Sequence, residues 1–175
     1  LYSCVNVNKK NDSNKKAITS FYNLEATSVD GDQIKMSNFK DKNILIVNVA
    51  SKCGYTPQYK DLQTLSDKYK ENLVVIGIPS NNFKQEPGSN KEIKDFCETN
   101  FNIDFPMTEK IDVIGNNAHP FFNWAKENHG KSAIPKWNFH KIIIGKDGKV
   151  ADTFTSITKP SSERFINLIE KEIKN

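Results

Sequence analysis

The sequence predicts an α/β fold, with a central mixed sheet, helices on both faces and an N-terminal β-hairpin. Three observations carry this. Asn43 to Ala50 and Leu73 to Pro79 are short, nearly continuous apolar runs rich in β-branched residues, as expected of strands covered on both faces. Between them, residues 57–70 carry Tyr59, Leu62, Leu65 and Tyr69 at helical spacing. Strand, helix, strand makes a βαβ unit, with parallel strands and a right-handed crossover. A further apolar run ending at Ile144 meets Lys146-Asp147-Gly148-Lys149, a hairpin turn, so Val150 to Thr155 should pair with it antiparallel and make the sheet mixed.

The remaining elements follow in order. Phe21 to Ala26 and Gln33 to Met36 flank Val29-Asp30-Gly31-Asp32, and Asp-Gly between short apolar-bearing runs signals a hairpin. Thr56-Pro57 reads as an N-cap followed by proline at the first helical position. Ser80 to Gly88 is a polar loop leaving the carboxyl end of the second strand, the sheet edge where ligands bind in open α/β folds. Ser89-Asn90-Lys91-Glu92 is a capping box opening a helix to about Asn100, with Ile93, Phe96, Cys97 and Phe101 on one face. A loop runs from Asn102 to Ala118, and His119-Pro120 starts a third helix ending near Gly130. Trp137 to Ile144 reads as a buried strand, and a final amphipathic helix begins at Pro160. A βαβ unit followed by a β-hairpin and a carboxyl-terminal helix is the thioredoxin-fold arrangement.

Length and composition narrow the function. The 175 residues suffice for one compact domain with a real core, over residues 19–175. The first 18 residues are polar, without periodicity, and read as a disordered tail. The chain starts at Leu1 without methionine, so a processed form that has lost a targeting segment is expected. The net charge of +4 is spread along the chain, with no basic block interleaved with aromatics, which argues against nucleic acid as a partner. No apolar run approaches the length of a membrane span. Three cysteines (Cys4, Cys53 and Cys97) are too few for a disulfide framework and point to a reducing intracellular compartment, the cytoplasm or an organelle such as a plastid or mitochondrion. There is no Cys-x-x-Cys, and the three histidines lack ligand spacing, so neither a metal nor another cofactor is expected.

Cys53 is the residue to which chemistry attaches. It lies in a polar turn between Lys52 and Gly54, where a buried strand gives way to a helix start. The unfilled N–H groups of a helix terminus, together with Lys52, favour thiolate over thiol, and such thiolates attack peroxide oxygen to give sulfenic acid. Val47-Asn48-Val49-Ala50-Ser51-Lys52-Cys53-Gly54-Tyr55-Thr56 resembles the sequence around the peroxidatic residue of the glutathione peroxidase family. Gln85-Glu86-Pro87-Gly88-Ser89-Asn90 resembles that family's second motif and Trp137-Asn138-Phe139 its third, in the family's order and spacing.

The resemblance implies a peroxidase reducing hydrogen peroxide and organic or lipid hydroperoxides. Cys53 would be the nucleophile, and Trp137 and Asn138 the catalytic tryptophan and asparagine, whose N–H groups can donate to developing charge on sulfur. The second motif departs from the pattern. One residue is missing ahead of Gln85, the family's cysteine is Ser80, and the family's catalytic glutamine falls on Asn82, one methylene shorter. Asn82 is assigned the role, with Gln85 as the residue that would otherwise take it over. Cys97, in Phe96-Cys97-Glu98, resembles the resolving cysteine of the non-selenium, thioredoxin-dependent members. Its disulfide with Cys53 would be reduced by thioredoxin rather than glutathione, a thiol co-substrate in place of a cofactor. Because a disulfide needs Cα atoms within about 7 Å, a helical Cys97 implies local unwinding of its helix on oxidation. The stretch between that helix and His119 is short where tetrameric members of the family carry extra sequence used in assembly, so the resemblance implies a monomer. The same residues would also serve a redox relay passing a disulfide to client proteins, whereas a non-enzymatic thioredoxin-fold binding module would carry an ordinary thiol at Cys53.

Overall fold

A computed structural model describes residues 19–175; the expected tail, with Cys4, lies outside them. Strands β1 (Glu25–Thr27) and β2 (Gln33–Lys35) form the N-terminal antiparallel hairpin, with Gly31 at φ +92° in its turn. Ahead of it, Phe21–Asn23 is a single 3₁₀ turn rather than a strand, closed by the Ser20 hydroxyl accepting from Tyr22 N–H.

The central sheet has four strands in the order β4-β3-β5-β6. Strand β3 (Asn43–Val49) is buried along its whole length and pairs in parallel with β4 (Leu73–Pro79), joined to it through helix α1 (Gln58–Tyr69). On its other side β3 pairs antiparallel with β5 (Lys141–Ile144), which pairs antiparallel with β6 (Val150–Phe154). Helices α2 (Asn90–Phe101), α3 (Pro120–His129) and α4 (Glu163–Lys174) complete the fold. Period-two alternation divides the core. Leu45, Val47 and Val49 pack with Tyr59 and Leu62 of α1, Ile93 and Cys97 of α2, and Phe165 and Ile169 of α4. On the opposite face, Ile44, Ile46, Ile76 and Ile78 pack with Phe121, Trp124 and Ala125 of α3 and with Phe21 and Ile34.

Three further element boundaries differ from expectation, each for a local reason. Helix α1 starts at Gln58, with Pro57 in the cap position, because 3₁₀-type bonds such as Tyr59 N–H to Thr56 C=O precede it. Strand β5 starts at Lys141 rather than Trp137, because Phe139 sits at φ +62° and breaks the extended run. Helix α4 starts after Ser162, whose hydroxyl accepts from Phe165 N–H, instead of at Pro160. The capping box on α2 is formed by Ser89 and Glu92 as expected.

Two basic side chains at the start of β5 are buried. Lys141, fully inaccessible, donates to Gln58 Oε1 at 2.7 Å and to the carbonyls of Thr155 and Ser156, and burial lowers its pKa to about 7. Burial lowers His140 to about 4; the Ser132 carbonyl bound to its Nε2 works against this, while Lys141 and Lys136 reinforce it. A base with a depressed folded pKa binds fewer protons than the unfolded chain, so stability is lost as pH falls from about 6.5 toward 4. At about 1.4 kcal/mol per unit, His140 accounts for roughly 3 kcal/mol of that loss, and His119, also lowered by burial, adds to it. His140→Gln, which keeps a donor for Ser132, should therefore flatten the fall in urea midpoint between pH 7 and pH 4.5; an unchanged slope would exclude His140 as its source.

Candidate active site

The three strands β4, β3 and β5 lie side by side, so the turns at their ends share one sheet edge. The turn after β3 carries Cys53, the loop after β4 carries residues 80–88, and the turn before β5 carries Trp137 to Phe139. Backbone bonds knit the three together: Lys52 N–H donates to Gln85 C=O at 3.1 Å, Ser80 N–H to Val49 C=O at 3.2 Å, and Phe139 N–H to Asn48 C=O at 2.6 Å. The Asn48 side chain adds a bond to the Trp137 carbonyl at 2.9 Å.

Cys53 is 9% exposed. The Thr56 hydroxyl fixes its turn, donating to Ala50 C=O at 2.8 Å and accepting from Cys53 N–H at 3.0 Å. Thr56 thus caps the cysteine turn and not the helix. The sulfur accepts from Tyr55 N–H at 3.4 Å, so a peptide group of the turn, ahead of α1, faces the thiol. Both Cys53 and Cys97 are free thiols.

The structure brings Gln85 and Asn138 together. Asn138 is fully buried, and its Nδ2 donates to Gln85 Oε1 at 2.8 Å, while its own Oδ1 is without a partner among the described residues. Its carbonyl accepts from the Ser156 hydroxyl. The Gln58 amide in turn donates to the Ser156 carbonyl at 2.8 Å, so Lys141, Gln58, Ser156 and Asn138 form one bonded series from β5 through α1 to the site. Trp137 is 39% exposed and packs against Phe83 at 5.4 Å between ring centroids, making an apolar rim.

Asn82 is placed elsewhere. Its Oδ1 accepts from Val113 N–H at 2.7 Å, from Ile114 N–H and from the Ser80 hydroxyl, and its Nδ2 donates to Asp112 at 3.0 Å. That amide is occupied in holding residues 112–114. The loop missing one residue turns at Lys84, which adopts φ +63°, and delivers Gln85 to Asn138.

Cys97 lies in α2 at 2% exposure, facing Tyr59 of α1. Burial pushes its pKa up to about 11; Glu86 and Glu98 push the same way, and the Tyr59 hydroxyl opposes them. Tyr59 is itself raised well above its ordinary value, first by burial and then by Cys97. The sequence pattern did not single out Glu86, Gln58 or Lys141, and it took Thr56 for a helix cap. For Lys141 a signal existed: it shares a strand face with Ile143 in a run otherwise buried.

The fold and this edge define a thioredoxin-fold protein with a thiol site built from three turns. The glutathione peroxidase family model matches residues 21–126. The chain is 48% identical over 150 residues to glutathione peroxidase-like peroxiredoxin 2 of Saccharomyces cerevisiae, covering 82% of this chain and 92% of that one. It is 41% identical over 155 residues to the hydroperoxy fatty acid reductase of a Synechocystis species, covering 83% and 92%. The crystal structure of T. cruzi GPX1 superposes with a TM-score of 0.69 at 31% identity, covering 90% of this chain and 98% of that one. The chain belongs to the glutathione peroxidase family.

The contrast between the thiols can be measured by alkylation. In the folded, reduced protein at pH 8, an exposed-thiol reagent should leave Cys97 unmodified until denaturant is added, because burial keeps it protonated. Peptide mapping that found Cys97 labelled without denaturant would contradict the arrangement.

Proposed function

We propose that this peroxidase reduces hydrogen peroxide and organic or lipid hydroperoxides through Cys53, is resolved by Cys97 and is regenerated by thioredoxin. The observation that carries the reading is the convergence of Cys53, Gln85, Asn138 and Trp137 on one sheet edge. The Cys53 thiolate attacks the terminal peroxide oxygen, the O–O bond breaks, and the alkoxide leaves as alcohol on taking a proton, with Cys53 oxidised to sulfenic acid. In this reading Gln85 takes the amide role assigned to Asn82, because it bonds to Asn138 and through its carbonyl to Lys52 N–H, whereas Asn82 is occupied by residues 112–114. Asn138 holds Gln85, and the Trp137 rim offers an apolar approach for an organic hydroperoxide. Cys97 then displaces water from the sulfenate, giving a disulfide that a dithiol partner reduces by exchange. Buried in α2, Cys97 can reach Cys53 only if α2 unwinds.

The thioredoxin assignment rests on the pair of cysteines. The protein acts as a monomer in this reading, and the free thiols suit a reducing compartment such as the cytoplasm. No helix among the described residues is long and apolar enough to cross a membrane.

Stopped-flow reduction of peroxide tests the reading. Cys53→Ser should lose turnover, and Cys97→Ser should keep one round of oxidation but lose thioredoxin-dependent cycling. Gln85→Ala should slow Cys53 oxidation on the order of a hundredfold, as loss of an oxyanion-type donor does. Asn82→Ala should cost stability instead, with a smaller effect on that rate. Full thioredoxin turnover by Cys97→Ser would overturn the resolving role, and the reverse ranking of Asn82 and Gln85 would return the amide role to Asn82.

A further inference from the structure

One buried ionisable group has no part in the steps above. Glu86 is 1% exposed, and its Oε2 has no hydrogen-bond partner among the described residues. It lines a cleft of about 300 Å³ between the Cys53 turn and α2, with Ser51 and Lys52 on one side and Glu92, Ile93 and Phe96 on the other. The Ser51 hydroxyl is buried beside it and, with the Ser51 N–H, faces the carboxylate. Glu86 therefore stands between the segments that carry the two thiols, and its charge acts on both Cys97 and Tyr59.

We propose that Glu86 is the proton carrier of the disulfide-forming step, a role that rests on the assignment of Cys97 as the resolving cysteine. Once α2 loosens, the Glu86 carboxylate takes the proton from Cys97 Sγ. The resulting thiolate attacks Cys53 sulfur, the S–O bond of the sulfenic acid breaks, and the departing hydroxide takes the proton back from Glu86 to leave as water. The S–S bond forms, and Glu86 ends as it began. Cys97 enters this step as a neutral thiol, since burial in folded α2 holds it at about 11, and a base must take its proton as the helix opens. Desolvation raises Glu86 above the usual carboxylate value, toward the working range of a general base; Ser51, Lys110 and Lys52 limit the rise. The groups facing it are Lys52 from the Cys53 turn, Lys110 from the segment after α2, Tyr59 from α1, and Cys97 and Glu92 from α2.

Rapid quench after one equivalent of hydrogen peroxide, followed by alkylation and peptide mass analysis, separates sulfenate formation from disulfide formation. Glu86→Gln should slow disulfide formation on the order of a hundredfold, well beyond any change in the peroxide step, and Glu86→Asp should recover part of the loss. In the wild type, the disulfide step should slow as pH falls through the raised Glu86 pKa, and Glu86→Gln should remove that limb. A disulfide step in Glu86→Gln at the wild-type rate would overturn the role. So would a pH-independent wild-type step between pH 4.5 and 7, a measurement that needs no variant to fold. Turnover retained by Cys97→Ser would instead strike the resolving assignment.

Discussion

The register of β3 against its two neighbours is the constraint on which the site depends. Val49 lies opposite Pro79 of β4, and Val47 opposite Lys141 of β5, so three turns leave the sheet within bonding distance of one another. A slip of one residue would turn Leu45, Val47 and Val49 to the opposite face and away from α1, α2 and α4. The apolar core thus fixes the register, and the register sets Lys52 against Gln85 and Phe139 against Asn48. Site geometry is a consequence of core packing, with polar contacts refining it.

The two thiols occupy the same core layer under different restraint. Cys53 sits in a turn with a peptide N–H on its sulfur, whereas Cys97 is sealed under a helix held at its start by a capping box and by Lys110, whose N–H donates to Asn90 and whose ammonium donates to the Gly88 carbonyl at 2.6 Å. The Asp30–Lys94 ion pair ties the same helix to the hairpin turn on the exposed surface, where such pairs contribute little. Helix α2 buries only Ile93 and Cys97 outright. A helix with so few buried anchors can open without loss of the sheet.

What the sequence revealed follows from the range of the interactions. Strands β3 and β4, the Asp-Gly turns and the Ser89–Glu92 box are set by neighbouring residues and apolar runs, and could be read directly. So could the position of Cys53, which follows from where a buried strand ends. The partners of the two candidate amides could not. Asn82 is claimed by peptide groups some thirty residues away, and Gln85 by Asn138, which is more distant still. The burial of Lys141 depends on Gln58 and Ser156 meeting it from two other elements. The positive φ of Phe139, which shortens β5 and turns Trp137 and Asn138 toward the site edge, leaves no mark in a run that otherwise reads as strand.

If Cys97 resolves Cys53, folded α2 must hold Cys97 back until Cys53 has been oxidised. Amide hydrogen exchange across residues 90–105, compared between the reduced protein and the protein treated with one equivalent of peroxide, tests it most directly. Protection should fall across that segment on oxidation while β3 and β4 keep theirs. Equal protection in the two forms, with the Cys53–Cys97 disulfide present, would contradict it.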